Sequence, residues 1–306
     1  MLKRIIGRFR EFLEFELRYW QRRRSNDWRP ATVLVYPQRL LSRSALYKIC
    51  KFLGLEVSRR LGPADIVIDW TDATYRSSHP ELARFGEVIN LRATNISKTN
   101  VERIHAEIFG YTMAIDPLTY RGPCLRKSDV NALHDGAIVQ CPIEKLESGF
   151  VYEKLIDNMT SAGALDMRVP IFGSILPLVY HKTRSLEARF LKFHSAKLRE
   201  TDDVLSTDEQ AKILRFCQEL GLDYGELDVL RDNGDGRIYV VDANNTPDSI
   251  EYLTKEEREE ALNRTARAFV DAFLRYPSMA GPRDHSPERH DEAETALAAG
   301  ARDRVR

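Results

Sequence analysis

The sequence of 306 residues contains no apolar run long enough to cross a lipid bilayer. A spanning helix needs about 20 consecutive apolar residues, and charged residues interrupt every apolar stretch before that length. Arg and Glu also interrupt the apolar residues at the N-terminus, which is not the pattern of a signal peptide. We therefore expect a cytoplasmic protein.

Cysteine is scarce and scattered. No CxxC pair occurs, and no histidine lies at metal-ligand spacing from a cysteine. This pattern predicts buried, reduced thiols in a cytosol rather than a disulfide framework or a zinc site. The four cysteines are Cys50, Cys124, Cys141 and Cys217.

Charge of one sign is not in excess, because 46 Lys and Arg residues balance 46 Asp and Glu residues. A nucleic-acid-binding protein normally carries a basic excess, so we expect no nucleic-acid partner. Residues 1–24 depart from this balance, with eight basic residues, three glutamates and apolar residues at helical spacing. Two interpretations stay open: this helix lies on the inner face of a membrane, or it docks on the protein's own body or a second subunit.

Several familiar site motifs are missing. The sequence has no GxxxxGK[ST], no GxGxxG and no HExxH, so a P-loop, a dinucleotide fingerprint and a zinc-protease site are unsupported. The acidic residues in 232–236 do not have the spacing of a calcium loop. We interpret 232–236 as a hairpin turn.

Hydrophobic periodicity predicts an α/β chain. Strands at 32–36, 65–70 and 87–91 alternate with a helix at 43–53 and predict a small parallel sheet. Thr99 and Glu102 predict a capping box for a helix that stops at Gly110. The later elements are strands at 123–127, 137–141, 150–156, 164–172 and 176–184, a helix from Ser206 to Gly221, a hairpin at 225–244 and a helix at 257–274.

Charged and polar residues that could bind a metal or a substrate occur on these later strands. Asp228 lies on one strand of the hairpin, and Asp242 and Asn244 share a face of the other. Such oxygen ligands suit Mg²⁺, which is held by one or two carboxylates plus substrate phosphates. Solvated or capping acids are the alternative interpretation. Arg168 shares a strand face with Asp166, so it either pairs with that carboxylate or lines a wet cleft.

Five segments, taken in order, closely resemble the ATP-grasp superfamily. They are NISKTNVERIHAEIFGY, PCLRKSDVNALHDG, VYEKLID, ALDMRVPIFGSILPLVYHKTR and GLDYGELDVLRDNGDGRIYVVDANNTP. The resemblance implies an ATP-grasp fold at 97–276, with a small lobe at about 111–157 and a large lobe at about 158–276. A parallel α/β lobe at 30–96 would precede it, residues 1–29 would hold the basic helix, and 277–306 would be a disordered tail.

The resemblance also implies a role for each matching residue. Lys98 and Lys127 would contact ATP phosphates, and Glu153, Lys154 and Leu155 would hold adenine. Asp228, Asp242 and Asn244 would bind Mg²⁺, with Mn²⁺ as an alternative metal. The residues at the transferred phosphoryl group would be Arg168, Lys182 and Arg184.

The implied activity is that of an ATP-dependent ligase. It would activate the carboxylate of a small molecule or peptide as an acyl phosphate, which an amine or similar nucleophile then attacks. Asp242 stands where the family usually has Glu, and the loop at 128–136 has the single glycine Gly136. These two departures favour an alternative, a non-catalytic nucleotide-binding module attached to a membrane or partner. The resemblance also leaves a kinase as an alternative, because some members of the superfamily leave the phosphate on their product.

Overall fold

The computed structural model describes residues 31–77, 79–133, 135–184, 195–250 and 252–274, together with Leu17. These residues form a mixed α/β structure with three β-sheets, in one compact unit that ends at Leu274. In this part of the chain, no helix has the length and apolar character needed to cross a membrane. The predicted N-terminal helix, apart from Leu17, and the predicted tail lie outside the described residues.

The first sheet is parallel, as the sequence predicts, with the order β2–β1–β3. Its strands are β1 (Thr32–Pro37), β2 (Glu56–Ser58) and β3 (Ile66–Trp70). Helix α1 (Ala45–Leu53) ends at Gly54, whose φ of 73° is the left-handed conformation of a helix cap. The predicted strand at 87–91 is wrong: Ile89 makes a single bridge to β3, after which Asn90, at φ 64°, turns the chain away.

The second sheet is antiparallel, with the order β5–β4–β6. Its strands β4 (Gly122–Ser128), β5 (Ala137–Cys141) and β6 (Phe150–Lys154) lie where the alternation predicts them. The preceding helix α2 (Lys98–Phe109) ends at Gly110, also as predicted. The capping box predicted for α2 is wrong, because Ser97 caps the helix and the Glu102 carboxylate accepts hydrogen bonds from the amides of Met113 and Ala114.

The third sheet is the largest, with the order β10–β9–β8–β11–β12 and a short β7 on β8. Its strands are β7 (Met159–Thr160), β8 (Gly163–Phe172), β9 (Val179–Arg184), β10 (Ser195–Arg199), β11 (Tyr224–Arg231) and β12 (Ile238–Asn244). The helices after β10 are α3 (Thr201–Val204), α4 (Thr207–Leu220) and α5 (Lys255–Phe273). The sequence does not predict β10, an edge strand in which only Ala196 is buried.

The third sheet has one apolar face and one polar face, because successive side chains on a strand point to opposite sides. Val169, Leu227 and Val240 lie on the apolar face, in one core with side chains of α2 and α4. On the other face, Tyr180 of β9 packs in one cluster with Ala261 of α5, and Phe172 and Tyr224 pack in the core of the first sheet and α5. The remaining part of that face, on β8, β9, β11 and β12, carries charged residues and is called the polar face below.

Candidate functional site

Strand register brings three predicted site residues into one row on the polar face. Asp228 on β11 lies opposite Arg168 on β8 and, on its other side, opposite Asp242 on β12. One step further along β11, Glu226 lies opposite Asn244. Antiparallel partners project from the same face of a sheet, so the predicted metal ligands and Arg168 come together.

The Arg168 guanidinium is held by two carboxylates of β11. Its Nε donates to Asp228 Oδ1 at 2.8 Å and its Nη2 to Asp228 Oδ2 at 3.1 Å, which is a bidentate pair. Its Nη1 lies 3.3 Å from Glu226 Oε2. Burial would raise the pKa of Asp228, yet the charge of Arg168 holds that pKa well below its usual range. The charge of Asp228 in turn raises the pKa of Arg168 against the effect of burial.

The alternative interpretation, in which Arg168 pairs with Asp166, does not hold. Asp166 Oδ2 lies 2.7 Å from Arg184 Nη2, and Asp166 Oδ1 accepts from Asn158 Nδ2 at 3.0 Å. Arg168 faces the other way, toward β11. Lys182 is also buried on the polar face, where burial lowers its pKa and the charge of Asp228 counteracts that effect.

Two predicted phosphate lysines reach the same region from other elements. Lys127 Nζ, at the end of β4, lies 2.8 Å from Glu153 Oε2 and donates to the carbonyl of Val241 at 3.2 Å. That carbonyl belongs to the extra residue of a β-bulge, since Asp228 pairs with Asp242 and Val229 with Val240. Lys98 opens α2, and its pKa is lowered by burial and raised by the charge of Asp242.

Sequence reasoning missed Asn131, which lies in the loop that follows β4. Its Nδ2 donates to the carbonyls of Ile96 and Ala243 at 3.0 and 3.1 Å, and its Oδ1 accepts from Lys98 Nζ at 3.0 Å. The loop is therefore tied to β12 beside Asp242. An asparagine in a polar loop gives no sequence signal for such a role.

Glu226 is the second residue that sequence reasoning missed. It is 4% exposed, and burial raises its pKa to about 7 against the opposing charges of Arg168 and Lys182. Although Oε2 lies near Arg168, it has no hydrogen-bond partner of acceptable geometry. The signal was available: Glu226 precedes Asp228 by two residues on a strand and must share its face.

Lys154, one of the predicted adenine residues, does not join this cluster. Lys154 points away from Glu153, its neighbour on β6, and its Nζ lies 3.4 Å from both Asp232 and Asp235 at the tip of the β11–β12 hairpin. Lys154 also donates to the Tyr239 hydroxyl at 2.5 Å. Leu155 follows β6 in the connection to the third sheet.

Comparisons with known proteins agree with this architecture. No protein-family model matches the sequence, and no curated protein matches it either. Among solved structures, the ATP-grasp ligase PsnB, complexed with precursor peptide PsnA2 and AMPPNP, has a TM-score of 0.53 at 15% identity, covering 81% of this chain and 100% of that one. The chain has an ATP-grasp fold.

Two further structures show the same ATP-grasp fold. A RimK domain ATP-grasp protein from Sphaerobacter thermophilus has a TM-score of 0.51 at 17% identity, with 80% of this chain and 100% of that chain covered. D-alanine–D-alanine ligase from Bacillus anthracis, complexed with ATP, has a TM-score of 0.51 at 14% identity, with 79% and 96% covered. The resemblance seen in the sequence is therefore confirmed at the level of the fold.

The residues at this place in the ATP-grasp fold fit a divalent cation that is shared with a nucleotide. The described residues contain no group of three or more His, Cys, Asp and Glu side chains able to hold a metal alone. Asp228 and Asp242, however, lie opposite each other, and burial and the charge of Asp228 raise the pKa of Asp242. Two facing carboxylates and the Asn244 amide would form a partial oxygen set of the kind that Mg²⁺ completes with phosphate oxygens.

Proposed function

We propose that this chain is an ATP-dependent ligase that activates a substrate carboxylate as an acyl phosphate for attack by an amine or similar nucleophile. One observation supports this most directly: Arg168, Asp228, Asp242 and Asn244 share the polar face of an ATP-grasp fold, and Lys127 reaches the same place from β4. Phosphoryl transfer requires positioning and charge neutralisation, which is what this set of residues provides.

The nucleotide would lie between the second and third sheets. Lys98 and Lys127 would bind its phosphates, and the segment Glu153, Lys154 and Leu155 would contact adenine. Asp228, Asp242 and Asn244 would hold Mg²⁺ or Mn²⁺, which supplies charge neutralisation at the phosphate oxygens. Because Lys154 is bound to the hairpin tip, its contribution would come from its backbone.

The reaction would have two steps. A carboxylate oxygen of the substrate bonds to the γ-phosphorus, the bond from that phosphorus to the β-phosphate oxygen breaks, and ADP leaves. The nucleophile then bonds to the acyl carbon, loses a proton, and phosphate leaves. Arg168, Lys182 and Arg184 lie on adjacent strands of the polar face, where their positive charges would stabilise the phosphoryl group and the substrate carboxylate.

The similar structures suggest the substrate class. The PsnB structure is a complex with a precursor peptide, and the Bacillus anthracis enzyme is a D-alanine–D-alanine ligase. We propose the carboxylate of a peptide or of a small amino acid for this chain.

Hydroxylamine trapping tests the proposal without knowledge of the nucleophile. The protein is incubated with Mg²⁺, ATP, hydroxylamine and pools of amino acids or Asp- and Glu-containing peptides, and hydroxamates are detected by mass spectrometry. We expect a hydroxamate together with stoichiometric phosphate, both lost in Asp242→Asn and retained in Asp208→Asn, a control on the exposed surface of α4.

The bidentate Arg168–Asp228 pair favours one second candidate, a nucleotide-binding module without turnover, because it engages a predicted metal ligand. Nucleotide binding with neither ADP nor hydroxamate from any pool would support that candidate. An acid-stable phosphorylated product would indicate a kinase.

A further inference from the structure

Arg168 faces two carboxylates that are placed differently on β11. Asp228 belongs to the metal-binding set and its side chain is 21% exposed, whereas the Glu226 side chain is 4% exposed. Arg168 makes two hydrogen bonds to Asp228 and none of acceptable geometry to Glu226, although Nη1 lies 3.3 Å from Glu226 Oε2. The guanidinium therefore makes a bidentate pair with Asp228 and lies close enough to Glu226 to bind it after a small shift.

The same Asp228 carboxylate cannot serve Arg168 and a divalent cation equally well. Both of its oxygens accept from the guanidinium, and a cation bound between Asp228 and Asp242 would repel the positive charge of Arg168 at short range. Arg168 and the cation are therefore competitors for Asp228.

Other acidic partners for Arg168 on the polar face are limited. Asp166 is bound by Arg184 and Asn158, and Asp242 lies on the far side of Asp228. Glu226 is adjacent, and its buried Oε2 lacks a hydrogen bond. A buried carboxylate oxygen without a donor is unfavourable, so a small shift of Arg168 toward Glu226 would satisfy that oxygen while it releases Asp228.

We propose that Glu226 is a positioning residue that takes over Arg168 when a divalent cation occupies Asp228. This rests on the proposed metal role of Asp228. Two consequences follow: Arg168 opposes cation binding, and Glu226 assists cation binding by acting through Arg168.

A double-mutant cycle on Mn²⁺ affinity tests this. Because phosphate oxygens complete the proposed metal site, Mn²⁺ affinity is measured by calorimetry as the ratio of the AMPPNP affinities with Mn²⁺ and with EDTA. The four proteins are the wild type, Glu226→Gln, Arg168→Met and the double variant. We expect Glu226→Gln to weaken Mn²⁺ binding roughly tenfold, since Arg168 then has Asp228 as its remaining partner, and Arg168→Met to tighten it. In the Arg168→Met background, Glu226→Gln should change the affinity less than about twofold.

A long-range charge effect gives a different result. If Glu226 attracts the cation directly, Glu226→Gln weakens Mn²⁺ binding by the same factor in both backgrounds, and the proposal is overturned. A fall in melting temperature with unchanged Mn²⁺ affinity in Glu226→Gln, which a purely structural residue would give, also overturns it.

Two additions keep the outcome decisive. Arg168→Met leaves the buried Glu226 with Lys182 as its remaining positive neighbour. If this variant does not fold, Arg168→Lys with and without Glu226→Gln replaces it, because one ammonium cannot span both carboxylates. Asp228→Asn and Asp242→Asn separate the two claims. If neither weakens Mn²⁺ binding, the proposed metal site is wrong, whereas if both do and the cycle is additive, only the role of Glu226 fails.

Discussion

At the scale of single residues, the Arg168 guanidinium contacts two carboxylates of the polar face, Asp228 and Glu226. Its planar fork spans two carboxylates and can bridge two phosphoryl oxygens, which a lysine ammonium cannot do. We expect Arg168→Lys to lower kcat by roughly 10²–10³-fold, the usual loss when one preorganised electrostatic contact is removed. Nucleotide affinity should change by less than about threefold, because the contact acts mainly in the transition state.

Steady-state kinetics and calorimetry on the same preparation check this prediction. The reference is Arg103→Lys, a substitution on the exposed side of α2, where Arg103 pairs with Glu107. Full turnover in Arg168→Lys would show that Arg168 has no catalytic role. A loss of nucleotide affinity equal to the loss of kcat would reassign Arg168 to ground-state binding.

His105 makes stability depend on pH. The ring is fully buried against Phe109 and Tyr111, neither ring nitrogen has a hydrogen-bond partner, and burial lowers the pKa from 6.5 to about 4. Since the unfolded chain binds the proton more readily between these two pKa values, stability must fall as the pH falls through that window. This residue should contribute about 2 kcal/mol to the loss between about pH 7 and pH 4.5.

Urea unfolding at both pH values measures that contribution. In His105→Phe, the loss of unfolding free energy between the two pH values should be smaller than in the wild type by about 2 kcal/mol. Phe109→Leu is the matched control, since it disturbs the ring that stacks on His105 at 4.4 Å without removing a titrating group. It should lower stability equally at both pH values, and an unchanged pH dependence in His105→Phe would show that His105 does not titrate in this way.

The residues of the site differ in how far the sequence could predict them. Strand alternation correctly places Asp166 and Arg168 on one face of β8, and Asp242 and Asn244 on one face of β12. The partners of those residues depend on the register between strands, which is set by distant pairings such as Arg168 with Asp228 across 60 residues. This is why the sequence left the pairing of Arg168 with Asp166 open as an alternative and why Glu226 was missed.

At the scale of elements, glycine caps allow a matched comparison. Gly54 and Gly221 end α1 and α4 with nearly equal φ angles of 73° and 74°. A Cβ on Gly54 would meet nothing within 4 Å, whereas a Cβ on Gly221 would lie 2.7 Å from the backbone of Arg92. Alanine at either position carries the left-handed penalty of about 1–2 kcal/mol, and overpacking adds about 1–3 kcal/mol at Gly221 alone.

Urea unfolding of Gly54→Ala and Gly221→Ala measures the difference between the two caps. Gly221→Ala should be the less stable variant by about 1–3 kcal/mol. Gly110→Ala, at φ 79° with open space around it, should behave like Gly54→Ala. Equal losses in all three variants would contradict the close packing of Arg92 on α4.

Elements with strong local signals were predicted well. The capping box of Ser206 and Glu209 and the glycines after α1, α2 and α4 mark helix ends as expected. Elements that depend on tertiary contacts were not. Strand β10 has little apolar character and is held by its pairing with β9, and Glu102 left the predicted capping box to bind the amides of the next loop.

At the scale of the whole molecule, the sequence shows the order of the motifs along the chain. It does not by itself show that their residues lie close together in the fold. The sequence places Lys98, Lys127 and Asp242 far apart, and three elements bring them together: the start of α2, the end of β4 and the bulge on β12. The resemblance to the ATP-grasp superfamily predicted this arrangement as a family property. The resemblance does not predict contacts particular to this chain, such as the hydrogen bond from Asn131 to the carbonyl of Ala243.

The central claim is that Asp228, Asp242 and Asn244 hold a divalent cation that helps to bind a nucleotide. The most direct test is calorimetric titration with AMPPNP, in Mg²⁺ and in EDTA. We expect the affinity to be at least about tenfold higher with Mg²⁺, which corresponds to about 1.4 kcal/mol. Asp242→Asn should lose most of this gain, while Asp208→Asn keeps it. Equal affinity in Mg²⁺ and in EDTA for the wild type would contradict the account.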